Sequence, residues 1–102
     1  MCFVYRLVAP RPTFAQTMTD SEAALMREHG RYWIDLVGKG VVIVFGPVAD
    51  PKGTWGLAVL EADNEIQADA CGANDPAIKA GVGFSFEIHR MPQVTLRTSV
   101  SK

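Results

Sequence analysis

Apolar residues recur along this chain at two spacings, every second residue and every third or fourth, and the switches between them predict its elements in order. From Cys2 to Val8, β-branched and aromatic side chains put Phe3, Tyr5 and Leu7 on one side of a strand and Val4, Arg6 and Val8 on the other. Ala9-Pro10-Arg11-Pro12-Thr13 cannot extend it, because two prolines remove ladder donors, and a loop is expected to about Met18. Thr19-Asp20-Ser21-Glu22 then sets a capping hydroxyl three residues before a glutamate, the reciprocal arrangement that starts a helix. Within that helix Leu25 or Met26, His29, Tyr32 or Trp33, and Leu36 or Val37 recur at steps of three and four. One helix face is therefore buried, and Gly38 and Gly40 end the element.

Val41 to Phe45 is a short, β-branched apolar run, expected as a strand buried on both faces and stopped by Gly46-Pro47. Asp50-Pro51-Lys52-Gly53 suits a turn, after which Trp55 to Leu60 returns as an antiparallel neighbour. Asp63-Asn64-Glu65 caps a second, shorter helix, with Ile66, Ala70 and Cys71 toward the core and Gly72 and Asn74 at its end. Asp75-Pro76 starts a single helical turn reaching about Ala80. In a last strand Phe84, Phe86 and Ile88 alternate with Ser85, Glu87 and His89. Residues 1–92 read as one domain; in the tail, 93–102, Val94 to Thr98 could add an edge or exchanged strand.

Strand, helix, two strands, helix, strand is the ferredoxin-like βαββαβ plan, an α+β fold with a four-stranded antiparallel sheet and its helices on one face. The two middle strands are apolar on both sides, and such a sheet face is seldom left to water. A second copy is expected to cover it, making a homodimer with a barrel-like core. Arg6, Ser85, Glu87 and His89 would project on that same face and make it partly polar.

Composition narrows the function classes. With 48% hydrophobic and 21% charged residues in 102, the chain can build a core, and a net charge of -1 offers no footprint for nucleic acid or a membrane surface. No apolar run approaches the ~20 residues that span a bilayer, and the start of the chain lacks a signal-peptide pattern. Cys2 and Cys71 have neither metal-ligand nor redox spacing, so a reduced, cytoplasmic setting is expected, without a disulfide framework. Two histidines without a Cys/His cluster make no case for a metal. Gly46-Pro47 and Gly53-Thr54-Trp55-Gly56 lack the spacing and the lysine of a phosphate loop, and no cofactor is implied.

Candidate chemistry centres on His29, inside Met26-Arg27-Glu28-His29-Gly30-Arg31-Tyr32-Trp33 and on the apolar stripe. An imidazole titrates near neutrality and can act as acid or base. Periodicity by itself favours the plainer reading, a core histidine bonded to backbone. Asp75 before Pro76 is an ordinary helix cap by sequence. Tyr32 and Trp33 read as core packing, Tyr5 equally as packing or as a phenol offered to a pocket, and His89 as facing solvent or a dimer seam.

Glu28-His29-Gly30-Arg31-Tyr32-Trp33, Gly46-Pro47, Gly53-Thr54-Trp55-Gly56 and Asn74-Asp75-Pro76 occur in an order that resembles the YciI-like, or YCII-related, family over roughly residues 2–92. The resemblance implies a dimeric α+β barrel and an active-site pair carried here by His29 and Asp75. It also implies a small-molecule enzyme, since a related member is a dehydrochlorinase of a chlorinated hydroxyquinol and the fold is shared with muconolactone isomerases. Some members have an arginine three positions before the histidine; here Met26 stands there, with Arg27 next to it, and no arginine role carries over. The expected function is cofactor-free proton transfer, an elimination or isomerisation of a small cyclic or aromatic compound. The alternatives are a non-catalytic module that binds a small ligand in the same cleft and a structural dimerisation domain.

Overall fold

Phe3, Tyr5 and Leu7, alternating along strand β1 (Cys2–Val8), are buried, and the rest of the chain packs around them. In the computed structural model, which describes residues 1–97, β1 pairs antiparallel with β3 (Trp55–Glu61) on one side and with β4 (Ser85–Met91) on the other. Strand β2 (Val42–Val48) pairs with β3 at the edge, so the order is β2-β3-β1-β4, the ferredoxin-like arrangement expected. Leu60, opposite Phe3, and Ala58, opposite Tyr5, extend the buried face, which Trp33, Ala68 and Ala77 cover from the helical layer.

The long helix α2 (Asp20–Gly38) starts where the sequence places it. Thr19 Oγ1 accepts from the Glu22 amide at 3.2 Å while Glu22 accepts from the Thr19 amide at 2.9 Å, which satisfies two orphan donors. Its buried positions, His29 and Trp33, stand one turn apart. Helix α3 (Glu65–Ala73) is capped by Asn64, whose side chain accepts from the Gln67 amide, and helix α4 (Pro76–Lys79) is capped by Asp75.

Four expectations are corrected. The segment before α2 is not all loop: Phe14–Thr17 forms a short helix, α1, because Phe14 is buried edge-on against Phe84 and Arg11 bonds both Thr17 and Glu22. Gly46-Pro47 does not stop β2; Gly46 pairs with Leu57 and Pro47 with Gly56, which an edge strand tolerates because the missing proline N–H faces no partner. Nor is β2 buried on both faces within one chain, since Val44 is 50% exposed; the register shifts between Val42 and Val44, with Ile43 between them. Finally α3 presents Ala68 and Gly72 to the sheet, leaving Ile66 81% exposed and Ala70 exposed. A Cβ on Gly72 would lie 2.6 Å from Phe86, so the bare glycine sets the rotation and close approach of this helix. Residues 94–97 form no strand, and the remainder of the tail lies outside the described residues. Among the described residues, no helix is long and apolar enough to cross a membrane.

Candidate functional site

Asp75 is the cap of α4, and its two oxygens do different work. Oδ1 accepts from the Ala77 amide at 2.8 Å. Oδ2 points into the core and accepts from Tyr5 Oη at 2.8 Å, from Trp33 Nε1 at 2.7 Å and from His29 Nδ1 at 2.7 Å. The last contact brings together two residues 46 positions apart, although the carboxylate is 0% and His29 only 8% exposed. The elements converge for plain reasons: β1 carries Tyr5 on its buried face, α2 presents His29 and Trp33 one turn apart, and the α3–α4 junction delivers a capping aspartate beneath them.

Burial pushes the Asp75 carboxyl up, but the hydrogen bonds from His29 and Trp33, the His29 charge and the Ala77 amide together hold it below its ordinary value. Its charged form is thus the stable one. Burial, followed by the Asp75 charge and hydrogen bond, pushes the Tyr5 phenol far above its usual range, so the hydroxyl keeps its proton and donates. Tyr32 behaves alike: burial and Cys71 raise it, and its hydroxyl donates to the Cys71 carbonyl at 2.6 Å. Beside an ionised oxygen at 2.7 Å, His29 Nδ1 must carry a proton, because two facing lone pairs would repel. In the neutral ring that leaves the lone pair on Nε2.

Nε2 has no hydrogen-bond partner among the described residues. It is also not a buried orphan, a condition met among them only by Arg6 Nε, so solvent or a ligand can reach it. His29 lines a cavity of about 310 Å³ between α1, α2 and the sheet, with walls that include Leu7, Phe14, Met26, Phe45, Trp55 and Phe84. Phe45 packs on the imidazole with ring centroids 5.6 Å apart and also stacks on Trp33 at 6.1 Å, steadying both. Among the described residues His29 is the only ionisable side chain in the wall; Gly30, Gly46 and Gly56 widen it. The arrangement sets an imidazole with a carboxylate behind it and an apolar chamber in front, a geometry that can support acid–base chemistry.

His89 lies elsewhere, exposed and paired with Glu87 at 3.0 Å. Sequence reasoning took Trp33 for packing and left Tyr5 between packing and a phenol offered to a pocket; both bind Asp75. Trp33 carried a usable signal, four residues after His29 on the same buried face; Tyr5 carried only its inward position on a strand.

A family model described as the YCII-related domain matches residues 2–92. Among solved structures the chain is similar to 5-chloro-2-hydroxyhydroquinone dehydrochlorinase from Burkholderia phenoliruptrix, solved in complex with 2,5-dihydroxybenzoquinone. Sequence identity is 25% and the TM-score 0.61, over 92% of this chain and 96% of that one. No match was found among curated proteins.

Proposed function

Because the chain belongs to the YCII-related domain family, we propose that its apolar cavity takes a small uncharged cyclic compound on which His29, oriented by Asp75, moves a proton. One observation carries the reading: the 2.7 Å bond from His29 Nδ1 to a buried carboxylate, on a ring that lines the cavity and has its other nitrogen free. The similar dehydrochlorinase supports a small-molecule enzyme of this kind.

The wall supports an uncharged ligand. Among the described residues no lysine or arginine lines it, so an anionic ligand would lose its hydration and gain no counter-charge, a penalty of several kcal/mol. Aromatic walls suit a flat ring instead. A hydroxyl or acidic C–H of that ring would give its proton to Nε2. The imidazolium so formed is balanced by Asp75, which moves no proton itself. In an elimination from a ring that carries its halogen on an aromatic carbon, a hydroxyl proton taken by Nε2 is first returned to that carbon, giving a keto tautomer. Loss of a second hydroxyl proton to Nε2 then sends its electron pair through the ring as the halide leaves with its bonding pair. In an isomerisation the imidazolium returns the proton to another ring atom. Loss of the proton to water resets the base after an elimination. No step calls on a cofactor.

A homodimer through the outer sheet face belongs to the same reading. That face carries Val4, Val44, Leu57 and Val59 beside the Arg6–Glu87 pair at 3.6 Å, and Arg6 Nε is buried there without a partner. Apolar surface of this kind is what a second copy would cover.

The test is turnover of a panel of chlorinated hydroquinones and hydroxyquinols, read as chloride release and quinone absorbance. His29→Asn, checked for folding by circular dichroism, is expected to lower kcat/KM by about 10²–10⁴-fold. Equal turnover by wild type and variant removes His29 from the mechanism. Saturable binding without conversion by the wild type would favour the ligand-binding module.

A further inference from the structure

We infer that Tyr5 and Trp33 are positioning residues, which act through Asp75 Oδ2 to decide which nitrogen of His29 carries the proton and how tightly it is held. The inference deepens the proposed use of His29 as a base and rests on it for its meaning, but its test is made on the free protein.

The pair can hold its shared proton in two ways. In one, Asp75 is a carboxylate, Nδ1 is protonated and the Nε2 lone pair faces the cavity. In the other, Asp75 is a carboxylic acid donating to Nδ1, and Nε2 carries a hydrogen and cannot act as a base. The second arrangement needs a proton on one carboxyl oxygen, and both are guarded. On Oδ1 the Ala77 amide, and on Oδ2 the Trp33 indole N–H, can only donate. Trp33 is 0% exposed and its ring packs at a tilt against Tyr5, centroids 4.5 Å apart, so it cannot swing away. Tyr5 adds a further donor to Oδ2. Protonating Asp75 would therefore weaken charge-assisted bonds whose donors have nowhere else to turn.

The same donors limit how strongly the carboxylate pulls on His29. Oδ2 divides its charge among Tyr5, Trp33 and His29, so each bond weakens the others. Packing does not require the polar atoms. The Tyr5 ring already lies against Trp33 and Phe86, where phenylalanine would fit without burying a hydroxyl. Of the other ionisable groups, Tyr32 from α2 interacts with Asp75, and Cys71 from α3 interacts with Tyr32; burial raises both, and β2 and β3 contribute none to the cavity wall among the described residues.

The experiment is long-range proton–nitrogen NMR of the imidazole in the full 15N-labelled chain, wild type, Tyr5→Phe and Trp33→Phe, with the amide spectrum reporting the fold. The wild type is expected to show a protonated Nδ1 and a bare Nε2. Tyr5→Phe, which removes one oxygen and keeps the ring, is expected to move the His29 Nδ1–H resonance to lower field and slow its exchange, as Oδ2 turns more of its charge to His29. Trp33→Phe should move it the same way. An unmoved resonance in folded Tyr5→Phe, or a wild-type ring protonated at Nε2 instead, overturns the inference. Tyr5→Phe decides alone where Trp33→Phe does not fold. A shifted resonance combined with unchanged turnover of His29→Asn would uphold the positioning role and sink the catalytic one.

Discussion

Asp75 concentrates the consequences of single residues because its oxygens hold four donors in a fully buried place. Asp75→Asn keeps the shape but must set an NH2 group against Ala77 N–H or against the Trp33, Tyr5 and His29 cluster. Donor faces donor in either flip. The expected loss of stability is about 2–4 kcal/mol, read by urea unfolding at neutral pH. Acid tests the same chemistry with a definite sign. Asp75 and Glu22 are both held below their ordinary values, Glu22 at about 2 chiefly by its Arg11 hydrogen bond. A carboxyl depressed in the folded state contributes stability above its unfolded pKa and loses it as pH falls through the folded one. The unfolding midpoint should therefore hold from neutral pH to about 5 and decline from about 4.5 toward 2. Glu22→Gln is expected to flatten the part of that decline due to Glu22; an equally steep limb in the variant would show that the Arg11 pair does not contribute.

At the scale of elements, α2 is a helix with two duties that pull against each other. Its cap and its buried stripe favour regular helix, yet Gly30 sits in its interior, where glycine is roughly 1 kcal/mol less favourable than alanine. Packing does not explain Gly30, since a Cβ there would meet nothing within 4 Å. The residue lines the cavity next to His29, so the open space is the cavity's own. Gly30→Ala is expected to stabilise the protein by about 0.5–1 kcal/mol while raising KM for a ring-shaped substrate. Paired thermal melts and kinetics measure both sides, and a variant that gains stability at unchanged KM would put Gly30 outside the ligand's reach. Helix α1 narrows the same space from the other side, held by Arg11 bonds to Thr17 and Glu22.

At the scale of the whole molecule, the described residues form a sheet covered on one face only. Helices shield Phe3, Tyr5, Leu7, Ala58 and Leu60, whereas Val44 is half exposed on the other side. Under the proposed homodimer, Val44→Lys places a charge where the second copy would pack and is expected to move the protein from dimer toward monomer in analytical ultracentrifugation, with its circular dichroism unchanged. A wild type that sediments as a monomer at all concentrations would exclude the interface.

Local patterning determined most of the architecture: the strand faces, the capping box at Thr19, the Asn64 and Asp75 caps and the βαββαβ order all rest on residues close together in sequence. The same local signals marked His29 as inward and Asp75 as a cap. What they lacked was distance. That His29 meets Asp75, and that Tyr5 and Trp33 share its oxygen, depends on β1, α2 and the α3–α4 junction converging across 42 to 70 residues. The misread details have the same origin. Pro47 stays in a strand because β2 is an edge, Ile66 faces outward because Gly72 brings α3 close to Phe86, and Phe14–Thr17 coils because Arg11 and Phe84 are there to hold it. Sequence periodicity chooses which way a side chain points; only packing of distant segments chooses what it finds there.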